Sequence, residues 1–121
     1  MDEYNDRLED TTTIEVYLEF IFEDWPLLAG LEEPVRQRLC TAVSEALNAA
    51  ECPVQAIRAK ADTLRIVVKL NENLSMDDMA DIVENTARVC ISSTETAPEP
   101  IAYSAECLSP EDVIDAVLRL H

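Results

Sequence analysis

The sequence predicts an α+β fold: one antiparallel sheet with helices packed against it, in the order β-α-β-β-α-β-α. Three observations predict it. Apolar and polar residues alternate over residues 14–23, the two-residue period of a strand with one buried face. Residues 35–50 then repeat apolar side chains every four positions, the pattern of one helix face. Residues 54–70 return to a strand pattern, broken once by the polar turn at 61–63, as in a hairpin.

Taken in order, residues 1–11 read as a flexible acidic arm. Residues 12–121 read as a single domain, long enough to bury one core. In the first strand, Ile14, Val16, Leu18, Phe20 and Phe22 point inward and alternate with Glu15, Tyr17, Glu19, Ile21 and Glu23. Asp24-Trp25-Pro26 ends it, because proline cannot donate to a ladder. Pro34 suits the first turn of a helix. Val35, Leu39, Val43 and Leu47, with Ala42, Ala46 and Ala50, form its apolar face, and Cys52-Pro53 stops it. Val54–Lys60 is a second strand. A third carries Leu64, Ile66, Val68 and Leu70 on one face. Ser75 and Asp78 have the spacing of a capping box, ahead of a helix with Met79, Ile82, Val83, Thr86 and Val89 inward. Residues 92–100 read as a polar loop and Ile101–Ala105 as a short fourth strand. Ser109-Pro110-Glu111-Asp112 combines a cap, an early proline and acids at the positive helix end. Val113, Ile114, Val117 and Leu118 are expected to line that last helix. The first six elements are those of a ferredoxin-like β-α-β-β-α-β sheet with its helices on one face, plus a C-terminal helix.

Composition excludes more than it selects. There are 25 acidic residues against 9 basic ones, a net charge of −16. Nucleic-acid affinity depends on cations replacing counterions, so DNA, RNA and anionic membranes are disfavoured and a basic protein is the favoured partner. Such acidity also suits a salt-rich cytoplasm. No apolar run reaches the ~18 residues of a membrane span, and the acidic start is the opposite of a secretion signal; a cytoplasmic protein is expected. Cys40, Cys52, Cys90 and Cys107 form no C-x-x-C pair, and the one histidine, His121, is the last residue, so no zinc site is expected. Buried free thiols are the main expectation and a disulfide the alternative. The single glycine, Gly30, excludes phosphate-cradling glycine loops and a G-x-S-x-G elbow. No cofactor is expected.

With the elements in order, the chain resembles the single-tyrosine HUH transposases, small DNA-nicking enzymes that include the REP-associated transposases. The resemblance covers Glu15 to Leu120. Phe22-Glu-Asp-Trp-Pro-Leu-Leu28 stands where that family has an aromatic-Pro-apolar turn. The helix from Val35 to Ala50 has the family's length and position. The segment from Asp62 to Ala80, DTLRIVVKLNENLSMDDMA, follows the spacing of the family's hairpin and following helix. Ile101-Ala-Tyr-Ser104 with LSPEDVIDAVLRL is similar to its last strand and tyrosine-bearing helix.

The resemblance implies a site and empties it. The family's metal-binding histidines correspond to Thr63 and Arg65. Thr is a poor ligand, and Arg brings a fixed positive charge where a cation would bind. The nucleophilic tyrosine corresponds to about Ala116, flanked by Asp115 and Val117. Tyr103 lies in the predicted strand, and Tyr4 and Tyr17 are far upstream. The expectation is a non-catalytic transposase-like scaffold, with no catalytic, metal or cofactor residues. It would act through a protein partner or as a homodimer. One alternative is an acidic inhibitor or DNA mimic that binds a basic protein. The other is a carboxylate-based metal enzyme. For that reading Glu15, Glu19 and Glu23 share one strand face at ~6.6 Å intervals, although such a row is ordinarily plain solvated surface.

Overall fold

Strand β1 (Tyr17–Phe22) forms a four-stranded sheet with β2 (Val54–Lys60), β3 (Thr63–Lys69) and β4 (Tyr103–Leu108), in which β1 and β3 are the inner strands. Helix α1 (Glu33–Ala49) lies between β1 and β2, α2 (Met76–Ile91) between β3 and β4, and α3 (Pro110–Leu120) follows β4. This computed structural model describes residues 16–91 and 103–120. The expected acidic arm, the start of the expected first strand and the expected loop at 92–100 lie outside the described residues. The strand order is β2-β3-β1-β4, and every neighbouring pair is antiparallel. The protein is therefore a ferredoxin-like α+β fold.

The alternation in β1 puts Leu18, Phe20 and Phe22 on one face, beside Leu64, Ile66 and Val68 of β3. Leu39, Val43 and Leu47 of α1 and Met79, Val83 and Ala87 of α2 complete that core, all essentially without solvent contact. Burying such side chains stabilises by about 1.5–3 kcal/mol each before the entropy of ordering is subtracted. The opposite face has a smaller apolar cluster, in which Ala116 and Leu120 of α3 close over Ala56 and Val67. Helix α3 lies chiefly over β2 and β3.

The helix ends follow from the sequence. Ser75 and Asp78 form the expected reciprocal box: the Asp78 N–H donates to Ser75 Oγ at 3.0 Å and the Ser75 N–H to Asp78 Oδ2 at 3.1 Å. Ser109 Oγ accepts from the Asp112 N–H at 3.2 Å. At the end of α1 the Cys52 N–H reaches the Leu47 carbonyl at 2.8 Å and the Glu51 N–H the Asn48 carbonyl at 3.0 Å, the double bond of a Schellman turn. Glu51 takes the left-handed conformation there, with φ 64°.

Four expectations are corrected. The fourth strand is Tyr103–Leu108 and extends beyond the expected Ala105, because its ladder runs to the end of β1, with Leu108 opposite Tyr17. In α2 the inward set includes Ala80 and Ala87, while Val89 is 79% exposed; small side chains let α2 pack closely on α1. In α3 the buried residues are Ala116 and Leu120, and Ile114 and Leu118 face solvent at 63% and 69% exposure. The floor beneath α3 offers only Ala56 and Val67 as buried apolar residues, so it accepts a narrow stripe. Finally, Glu19 is buried, with only 6% exposure, rather than on a solvated face.

Candidate functional site

The site is built by the β2–β3 hairpin. Lys60 pairs with Thr63, and Arg58 with Arg65. Side chains two apart on a strand share a face, so all four project to the side that α3 covers. The two-residue turn between them puts Ala61 at φ 55°. From the other side α3 brings Arg119 and Leu120. Together Arg58, Lys60, Thr63, Arg65, Arg119 and Leu120 line a cleft of about 490 Å³. Among the described residues no carboxylate lines it. Four of the chain's nine basic residues therefore meet in one concavity of an acidic protein.

Arg65 is partly balanced from below. The Glu19 carboxylate lies beside it, with Oε2 3.6 Å from an Arg65 guanidinium nitrogen. That oxygen is buried and has no hydrogen-bond partner. Arg58, Lys60 and Arg119 are exposed, and among the described residues nothing pairs with them. Arg58 stands directly across from Arg65, an arrangement of like charges that ordinarily destabilises a sheet.

Thr63 and Arg65, the two positions singled out by the resemblance, thus both line the cleft. Thr63 Oγ1 is 3.5 Å from Asp62 Oδ1, a long contact. Ala116 is completely buried, as a member of the small apolar cluster. Asp115 is exposed. Tyr103 is on the opposite face of the sheet, with its ring 5.5 Å from Phe20 and 5.8 Å from Phe22. Its hydroxyl donates to Asp77 Oδ1 at 2.6 Å. That hydrogen bond, then burial, then the charges of Asp77 and Asp81 push the phenol up to about 12, which makes it a poor nucleophile at neutral pH.

The two described glutamates of the expected row lie in different surroundings. Glu19 is buried beside Arg65, Glu23 is exposed beyond the strand, and Glu15 is outside the described residues. Among the described residues no group of three or more His, Cys, Asp or Glu converges to hold a metal ion. All four cysteines are free: Cys52 is buried, Cys40 and Cys90 half-buried, Cys107 exposed. Burial pushes the thiols of Cys40 and Cys52 up. Among the described residues no helix is long and apolar enough to cross a membrane.

Sequence reasoning singled out Thr63 and Arg65, and Glu19 only within a row of strand carboxylates, but not Arg58, Lys60 or Arg119. A signal for two of them was present. A two-residue turn forces 60 opposite 63 and 58 opposite 65, so the cations of β2 had to join Arg65. Arg119 depends on the path of α3 over the sheet, which no local pattern encodes.

Fold and cleft together define a ferredoxin-like α+β chain with a cationic cleft between its hairpin and its C-terminal helix. The sequence matches no model of a known protein family.

Proposed function

We propose that this chain is a transposase-like scaffold without cleavage chemistry, acting by association with a basic protein. The observation that carries the reading is the make-up of the cleft. Where the resembled enzymes have two metal ligands and a tyrosine, this chain has Thr63, Arg65 and a buried Ala116. Phosphodiester cleavage needs an activated nucleophile and charge stabilisation, and the position that corresponds to the nucleophilic tyrosine holds Ala116, which carries no nucleophile. Charge supports a basic partner: the cleft takes four of nine basic residues, leaving five against all 25 acidic ones. Ile114 and Leu118, one turn apart and exposed, give such a partner an apolar anchor on α3.

The test is incubation with hairpin-bearing single-stranded DNA and Mg²⁺ or Mn²⁺. Intact DNA and no covalent adduct are expected; a nick or an adduct overturns the reading. A second reading, favoured by the same charge, is that the acidic surface imitates spaced phosphates and occupies a partner's DNA-binding face. It requires that DNA compete with this chain for the partner, and a ternary complex excludes it.

A further inference from the structure

We infer that the cleft between the β2–β3 hairpin and α3 binds a small ligand carrying a phosphate group. The inference is independent of the partner proposed above.

Three features point to it. The first is concentration of charge: Arg58, Lys60, Arg65 and Arg119 line one cleft, and among the described residues no carboxylate does. Three of the four are arginines, whose planar forks match phosphate oxygens two at a time. The second is the conflict left in the sheet. Arg58 and Arg65 face each other across the ladder, and among the described residues only Arg65 has an acid beside it, the buried Glu19. An anion between the two arginines relieves repulsion that the unliganded sheet retains. The third is size. The cleft, at about 490 Å³, falls within the usual ~300–1,000 Å³ of small-molecule sites and has room for more than a phosphate alone. Leu120 and Ala61 offer an apolar wall to whatever the phosphate is attached to.

Charge beyond the cleft selects against a polymer. Screening confines electrostatic reach to about 8 Å at physiological salt. A small dianion held among four cations feels mainly those cations. A nucleic-acid strand extends well past them, across a surface where acids outnumber bases, and is repelled there. An acidic peptide is repelled in the same way.

The test is calorimetric titration with a nucleoside 5′-monophosphate, adenosine, inorganic phosphate, a thymidine oligonucleotide and an oligoglutamate at about 0.15 M salt. The monophosphate is expected to bind with a dissociation constant of about 1 mM or tighter, weakening as salt rises. Adenosine is expected not to bind. Competition by inorganic phosphate also supports the site and shows that the phosphate carries the recognition. Arg58→Gln and Arg119→Gln are the variants of choice, because both residues are exposed and make no pair that the fold depends on. Each is expected to weaken the monophosphate about tenfold or more, the scale of one charged hydrogen bond, with a melting temperature no lower than the parent's. Arg65→Gln is less clean, since it strands the buried Glu19. No binding of the monophosphate overturns the inference. So does equal binding by both variants, equal binding of adenosine, or tighter binding of the oligonucleotide or oligoglutamate.

Discussion

Glu51 shows how far a single backbone angle shapes this chain. It closes the Schellman turn of α1 at φ 64°, a conformation that costs an L-residue on the order of 1 kcal/mol and glycine almost nothing. Glu51→Gly is expected to raise stability by about 0.5–1 kcal/mol, after the extra freedom that glycine gives the unfolded chain is subtracted. A higher urea midpoint at unchanged slope checks it. Tyr103 carries a pH effect. Its phenol is held up from the ordinary ~10 to about 12, first by its bond to Asp77. The folded state thus keeps a proton that the unfolded state has lost. The contribution is complete below pH ~10 and disappears as pH rises from there towards about 12. Tyr103→Phe is expected to be less steep than the parent over that window in a series of denaturant melts. Equal slopes would show that the hydroxyl contributes nothing.

The helices and strands divide by what local sequence can specify. The capping box was legible because Ser75 and Asp78 must lie three apart to satisfy each other's backbone groups, and nothing distant enters. Ser75→Ala is expected to cost about 1 kcal/mol, read from thermal melts. The hairpin was legible for the same reason, although its turn is the two residues Ala61 and Asp62 and Thr63 already belongs to the strand. What escaped was the phase of α2 and α3. Periodicity identifies a helix but not which of two adjacent apolar stripes is buried. In α2 the choice fell to Ala80 and Ala87 because α1 packs close. In α3 it fell to Ala116 and Leu120 because the charged strand face below leaves only a narrow apolar strip. Glu19 escaped because a carboxylate on an alternating strand reads as solvated. It is buried only because α3 lies on that side of the sheet and Arg65 is next to it.

At the scale of the molecule, net charge opposes compactness. Like charges spread over a small surface repel, and the repulsion is relieved when chains expand. Between about 0.1 M and 1 M salt the screening length falls from ~10 Å to ~3 Å. The melting temperature is expected to climb across that range in potassium chloride, more than for a near-neutral protein of equal length; a flat profile would mean that the acids are already balanced. The antiparallel strand order was implied by the element order, whereas the second, smaller core under α3 and the gathering of cations were properties of the assembled sheet.

Arg36 joins parts of this molecule that are distant in sequence. Its guanidinium donates to the carbonyls of Leu31 at 3.0 Å, Ala61 at 2.9 Å and Leu28 at 3.3 Å, and nearby the Trp25 N–H donates to the Asp62 carbonyl at 2.9 Å. A hairpin tip at the end of an edge strand ordinarily frays within the native state. Here it is moored to the segment after β1, so the two should open together or not at all. Amide hydrogen exchange reads this directly: the Trp25 amide is expected to exchange as slowly as the core of β1. In Arg36→Ala it is expected to exchange much faster, while the amides of α2 keep their protection.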